Sequence, residues 1–239
     1  MNAPQRSMEP PVSIGDTAPT DDDLASTWFL DHDDESVTRF ANDTSAGATD
    51  DVGRAVALFA EVRDGIRYDP HNLSRDPADH RASAVLAGRQ KWCVPKSVLL
   101  TSACRAVGIP ARLGFADVRN HLQSPTLAER MGTDLFYWHG YSVLWLEGAW
   151  RKASPAFNAE LCRRFGTEPL DFDGRSDALL HAHDGGGNRY MEYVNYRGIY
   201  ADLPLDAIFA TFTEVYSPAL LTAEPSADRD DFEELPSGS

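Results

Sequence analysis

The spacing of apolar residues predicts two long helices and then a strand in the first half of the chain. Apolar residues recur every three or four positions in residues 52–66 and again in residues 94–107, as on the buried face of a helix. Pro95 suits the first turn of the second helix, and Gly108 suits the residue just beyond its end. Apolar positions then alternate with others in residues 111–118, which indicates a strand.

Two further runs favour β-structure and predict a hairpin. Residues 139–146 and 149–154 are rich in β-forming side chains, and only Glu147–Gly148 separates them. A two-residue loop fixes the register of the two strands, and side chains alternate between the faces of a sheet. In that register His139 and Ser154 share one face as diagonal neighbours, within reach of a side-chain contact.

The pattern weakens beyond Pro155 but still predicts elements that would cover the sheet or wall a cleft. Residues 157–165 have helical apolar spacing, residues 190–196 suggest a strand and residues 205–212 a helix. The length of the chain favours one domain with one core. We assign this domain to residues 23–221, with a core at about 50–160 and a C-terminal elaboration at 161–221.

Both ends of the chain differ in composition from its centre. Residues 1–22 and 222–239 are polar and acidic and contain proline and serine, so we expect both tails to be disordered. Residues 1–35 hold nine acidic residues and one arginine, whereas residues 36–221 hold 22 acidic and 20 basic residues. The domain itself is therefore nearly neutral, and no basic field favours nucleic acid as a partner.

Cysteine content and hydropathy bear on the compartment. Three cysteines at uneven spacing do not form a disulfide framework, and no Cys-x-x-Cys pair suggests zinc. No stretch approaches the roughly 20 apolar residues of a membrane helix, and residues 1–23 lack the apolar core of a signal peptide. We therefore expect a soluble cytoplasmic protein without a membrane partner.

Cys93 is the candidate nucleophile. It lies at the predicted start of the second long helix, where unpaired N–H groups and the positive end of the helix dipole favour a thiolate. The same N–H groups could hold an oxyanion. By position alone a cysteine is more often buried and unreactive than a nucleophile, and this is how we interpret Cys104 and Cys162.

The segments around Cys93 and His139 carry a family resemblance. Residues 105–112 read Arg-Ala-Val-Gly-Ile-Pro-Ala-Arg, Trp138 precedes His139, and residues 150–155 read Trp-Arg-Lys-Ala-Ser-Pro. This arrangement resembles the transglutaminase-like superfamily of papain-type cysteine enzymes. The resemblance implies an α+β fold, with the cysteine helix packed on an antiparallel sheet. It also implies a Cys–His–Asp triad in which Cys93 is the nucleophile and His139 the base.

The third member of that triad departs from the family pattern. The position expected for the aspartate holds Ser154, which can accept a hydrogen bond from imidazole but adds no negative charge. Ser154 could orient His139 with weaker activation. Asn158 could take that role instead, because papain-like triads use an amide. The site could also have lost catalysis and kept binding.

Four further residues are predicted to support the cleft or the oxyanion: Trp92, Val94, Trp138 and Tyr141. We predict no cofactor and no metal, and we interpret His181-Ala-His183-Asp184 before a triple glycine as a polar loop. The predicted reaction is acyl transfer or amide hydrolysis through a thioester, on a peptide, protein or small acyl substrate and with water or an amine as acceptor. The alternative is a catalytically silent domain that binds a peptide or small acyl compound.

Overall fold

The computed structural model describes most of the chain between residues 17 and 218. The described residues are 17–70, 72–121, 128–129, 131–164, 166–181, 183, 186–188 and 190–218. The disorder predicted for residues 1–16 and for the C-terminal tail, 222–239, concerns segments outside these residues.

Within the described residues the fold combines helices with an antiparallel sheet. The helices are α1 (Glu35–Ser45), α2 (Asp51–Gly65), α3 (Ala82–Ala87), α4 (Cys93–Ala106), α5 (Ala159–Arg164) and α6 (Leu205–Val215). The strands are β1 (Arg67–Tyr68), β2 (Gln90–Lys91), β3 (Ala111–Asn120), β4 (Leu135–Leu146), β5 (Ala149–Ala153) and β6 (Met191–Tyr200). The two long helices, the first strand and the hairpin predicted from the sequence are all present.

Helix α4 is the centre of the domain. Every residue from Cys93 to Arg105 is buried, because α1, α2 and α3 pack on one side of the helix and β3 and β4 on the other. The sequence pattern predicted only one buried face. Buried polar groups usually have hydrogen-bond partners, and two of those on this helix do: Thr101 donates to the Ser142 hydroxyl, at 2.9 Å, and Ser97 donates to the carbonyl of Cys93, at 3.0 Å.

The main sheet has the strand order β5-β4-β3-β6. Leu146 pairs with Ala149 and Ser142 with Ala153, which is the predicted hairpin register. Glu147 and Gly148 both have positive φ, 49° and 81°, as a two-residue hairpin loop of type I′ requires. Strand β6 pairs with β3, so part of the C-terminal elaboration completes the sheet.

The two arginines of segment 105–112 tie the helix-to-strand turn to its surroundings. Arg105 donates through Nε to the carbonyl of Ala111, at 2.9 Å. Arg112 forms a buried two-point ion pair with Asp23, with distances of 2.6 and 2.7 Å. The Trp150 indole donates to the carbonyl of Thr17, at 3.0 Å. The sequence placed residues 1–22 in a disordered tail, but the sheet holds the chain on both sides of residues 18–22, at Thr17 and at Asp23.

Candidate active site

Cys93 is the first residue of α4 and lies against β4. The preceding residue is extended, and Pro95 occupies the first turn, so the helix begins at the cysteine as predicted. The backbone N–H groups of Gly140 and Val94 lie close to the sulfur, where they act to lower the pKa of the thiol. The thiol is only slightly accessible, because Cys93 is 6% exposed.

Gly140 permits this close approach between the strand and the helix start. A Cβ atom at residue 140 would lie 3.0 Å from both Cα and Cγ2 of Val94, and backbone at that distance cannot move aside without shifting α4. The glycine directly after His139 was a signal in the sequence that our interpretation did not use. It lets the histidine strand and the cysteine helix meet.

Gly140→Ala is therefore expected to displace Cys93 and to destabilise the fold. We expect a loss of about 1–3 kcal/mol in the free energy of unfolding, as for other overpacked sites, measured by denaturant unfolding. The matched control is Gly47→Ala, because a Cβ at residue 47 would have nothing within 4 Å. Equal stability of the two variants would contradict the close approach.

His139 is oriented by the residue that the hairpin register predicted. Its Nε2 atom lies 3.1 Å from Oγ of Ser154, and both side chains are buried. If Nε2 carries the proton and donates it to Ser154, Nδ1 keeps a free lone pair and can act as a base. The contact between His139 and Ser154 that the hairpin register predicted is therefore present.

Cys93 and His139 line the same cavity, which has a volume of about 40 Å³. That is room for a few water molecules, so the cavity is small. The rest of its described wall is mostly aromatic or aliphatic, and consists of Tyr68, Pro70, Leu73, Trp92, Met131, Phe136, Tyr137, Phe212 and Tyr216. The thiol and the imidazole, separated by 45 residues of sequence, therefore meet in one cavity.

Burial controls the protonation of both groups. It raises the pKa of the Cys93 thiol to about 11, although the nearby N–H groups act in the opposite direction. It lowers the pKa of His139 to about 4. The sequence led us to expect a thiolate at this helix start, but burial outweighs the effect of the N–H groups on the pKa of the thiol. Both shifts favour the neutral form of the group, so burial opposes a thiolate–imidazolium pair at this site.

Three other predicted site residues lie elsewhere. The side-chain oxygen of Asn158 accepts the N–H of Tyr68, at 3.2 Å, and no hydrogen bond joins Asn158 to His139 in the described part of the chain. Trp138 does not line the cavity, because its ring packs on Phe115. Tyr141 belongs to a separate cluster on the sheet, so it is not a cleft residue either.

Trp92 and the C-terminal helix contribute to the cavity wall. Trp92 lines the cavity as predicted, and its buried indole Nε1 has no hydrogen-bond partner among the described residues. Our sequence interpretation missed Phe136 and Tyr137, because β4 begins four residues earlier than predicted. It also missed Phe212 and Tyr216. Their helical spacing indicated that they pack on other elements, but it did not indicate which elements.

The described residues contain neither a membrane-spanning helix nor a cluster of metal ligands. No described helix combines the length and the apolar character needed to cross a membrane. No group of three or more described histidine, cysteine or acidic side chains could hold a metal ion. The sequence candidate at residues 181–184 includes Asp184, which lies outside the described part.

Comparison with known proteins identifies the core. The family model described as the transglutaminase-like superfamily matches residues 38–155. Among solved structures, the chain is similar to a candidate cysteine protease from Cytophaga hutchinsonii, with 16% identity over 56% of this chain and 40% of that chain and a TM-score of 0.44. It is also similar to a candidate protease from Parabacteroides distasonis, with 15% identity over 55% of this chain and 26% of that chain and a TM-score of 0.37. A third similar structure is the arylamine N-acetyltransferase from Mycobacterium abscessus, with 12% identity over 81% of this chain and 74% of that chain and a TM-score of 0.45.

The chain thus spans less than half the length of the two proteases. A search of curated proteins found no match. The family match includes Cys93, His139 and Ser154, and it ends before α5, β6 and α6. The observed fold, a buried cysteine helix on an antiparallel sheet, agrees with the resemblance noted in the sequence. The core of this chain, residues 38–155, belongs to the transglutaminase-like superfamily.

Proposed function

We propose that this protein transfers acyl groups through a thioester on Cys93, either to an amine or to water. The observation that carries the proposal is the shared cavity of Cys93 and His139. Ser154 engages one nitrogen of the imidazole, which leaves the other to accept the thiol proton. Nucleophile, base and orienting group are the parts that nucleophilic catalysis by cysteine needs.

Burial favours the neutral thiol and the neutral imidazole, so we propose a first step that couples attack to proton transfer. The sulfur attacks the acyl carbon while the thiol proton moves to Nδ1 of His139, so a free thiolate does not have to accumulate. The imidazolium then donates this proton to the leaving amine or alcohol as the bond from the acyl carbon to that group breaks. Water or an amine next attacks the thioester and gives a proton to His139. As the bond from the acyl carbon to sulfur breaks, the imidazolium returns this proton to the sulfur and restores the thiol of Cys93.

The carbonyl oxygen becomes negatively charged during each attack and needs hydrogen-bond donors. The N–H groups of Val94 and Gly140 are near the sulfur and are suited to this role. The indole N–H of Trp92, in a residue of the cavity wall, is a further candidate because no described group accepts it. A buried donor without a partner is costly, and a substrate oxygen would satisfy it.

The test is acylation by a small activated ester, p-nitrophenyl acetate. We expect a burst of p-nitrophenolate equal to the enzyme concentration, followed by slower turnover. Peptide mapping of the trapped protein should place one acetyl group on Cys93. Faster turnover and a new amide after adding a primary amine would indicate a transferase, whereas an unchanged rate would indicate a hydrolase. Absence of both burst and adduct would overturn the proposal.

The second candidate is a silent binding domain, and one observation favours it. His139 has a neutral partner in Ser154, and its pKa is lowered to about 4, so an imidazolium is poorly stabilised there. A silent domain would bind an acyl compound without forming the burst or the adduct. Calorimetric binding of N-acetyl amides to a protein that shows no acylation would therefore support this candidate.

A further inference from the structure

We propose that Asp117 is a positioning residue for His139, through its hold on the backbone of Trp138. The inference rests on the proposed function, in which His139 is the base. Asp117 lies on β3, directly opposite an irregularity of β4. Asp117 belongs neither to the triad nor to the cavity wall.

The irregularity is a bulge next to His139. Ala116 pairs with His139, but Val118 pairs with Phe136, so two residues of β4 oppose the single residue Asp117. Side chains alternate along a regular strand, and positions 136 and 139 would then lie on opposite faces. The extra residue of the bulge shifts this alternation by one position. Phe136 and His139 can therefore lie on the same face, and both line the cavity.

The bulge contains a strained residue. Trp138 has a φ of 58°, in the left-handed region that a bulky residue rarely adopts. The other described non-glycine residue with positive φ is Glu147, whose conformation belongs to the hairpin loop. Trp138 has no such turn to explain it, so neighbouring groups must hold it in this conformation.

Asp117 supplies the main hold on the Trp138 backbone. Its buried carboxylate accepts the backbone N–H of Trp138, at 3.1 Å. Because Trp138 lies in the bulge, this N–H is no longer part of the regular ladder of hydrogen bonds between the strands. The same carboxylate accepts Nε of Arg197, at 2.5 Å, and Nδ2 of Asn195, at 3.2 Å. The Arg197 guanidinium lies 5.0 Å from the centre of the Trp138 ring. Asn195 and Arg197 of β6 thus hold the Asp117 carboxylate in place, and this carboxylate in turn holds the bulge.

The consequence for His139 follows from its neighbouring position. Rotation of the backbone at Trp138 would turn the imidazole away from Ser154 or from the thiol. Ser154 offers one uncharged hydrogen bond, which orients imidazole less strongly than a carboxylate does. The orientation of the His139 ring therefore depends more on the backbone than it would with a carboxylate at residue 154. Asp117 is the group that holds this backbone.

The test compares Asp117→Ala with Asp117→Asn and with the control Asp23→Ala. Asp23 is also a buried carboxylate bonded to an arginine of β3, but it lies outside the site. We expect Asp117→Ala to lower kcat for p-nitrophenyl acetate about 10- to 100-fold, with KM changed less than about twofold. Asp117→Asn can still accept the Trp138 N–H and should recover most of kcat. Asp23→Ala should lose stability without this loss of kcat.

Proton NMR detects the orientation of the His139 ring without a measurement of catalysis. The His139 Nε2 proton that Ser154 accepts should exchange slowly with solvent, and it should disappear in Asp117→Ala but persist in Asp117→Asn and Asp23→Ala. If Asp117→Ala does not fold, Asp117→Ser replaces it, since a hydroxyl is too short to reach Trp138. A signal that persists in the Ala or Ser variant would overturn the role of Asp117. Lack of activity in the wild type would overturn only the proposed function.

Discussion

Cys93→Ala is expected to abolish acyl-enzyme formation and to lower kcat for p-nitrophenyl acetate more than about 1000-fold. The variant keeps His139, Ser154 and the N–H groups at the start of α4, but it has no atom that can form the thioester. The change removes only one sulfur from a buried site, so the fold should remain. Stopped-flow measurement of the burst and intact mass of the acylated protein check the prediction.

The two other cysteines provide matched controls. Cys104 lies on the same helix and is completely buried, with a pKa raised by burial, and Cys162 lines a different cavity beside Ser154. Cys104→Ala and Cys162→Ala should both keep the burst. An acyl group that maps to Cys162, or a burst that survives in Cys93→Ala, would show that the nucleophile has been assigned to the wrong residue.

The sequence predicted the parts of the site that depend on local rules. A two-residue loop sets the pairing of β4 with β5, so the contact between His139 and Ser154 could be derived before the structure was known. Proline and glycine placed the ends of the cysteine helix in the same way. In both cases the relevant information lies within a few residues of the site.

The protonation of the pair could not be predicted in this way. The helix start favours a thiolate, but the pKa of Cys93 is raised because residues distant in sequence, such as Phe212 and Tyr216, close the cavity around it. Those residues lie on or just after α6, beyond the family core. Desolvation depends on the assembled walls, and no local pattern reports them.

Neighbours in sequence also proved to be poor guides to neighbours in the cavity. Trp138 adjoins His139, yet its indole donates to Thr211 of α6, at 2.9 Å, outside the cavity wall. The reason is the bulge, which changes the alternation of side chains just before the histidine. A positive φ at a tryptophan leaves no mark in the sequence, whereas at glycine it often does.

Ser154→Asp is expected to raise the pKa of His139 from about 4 towards or above the usual value for histidine, because a carboxylate stabilises the imidazolium. His139 must be unprotonated to act as a base, so the acidic limb of the kcat/KM profile should move to higher pH by the same shift. Above that limb the activity should equal or exceed that of the wild type, since the carboxylate also favours the thiolate–imidazolium pair. The measurement is the pH dependence of kcat/KM for p-nitrophenyl acetate.

Ser154→Ala separates orientation from charge in the same experiment. Alanine leaves the imidazole N–H without an acceptor, and kcat should fall about 10- to 100-fold, while the acidic limb stays near its wild-type position because burial still sets the pKa of His139. Thermal unfolding of both variants controls for the buried change. If Ser154→Asp folds normally and is inactive, serine has a role of its own at this position. In that case the hydroxyl, rather than a missing carboxylate, is what the site requires.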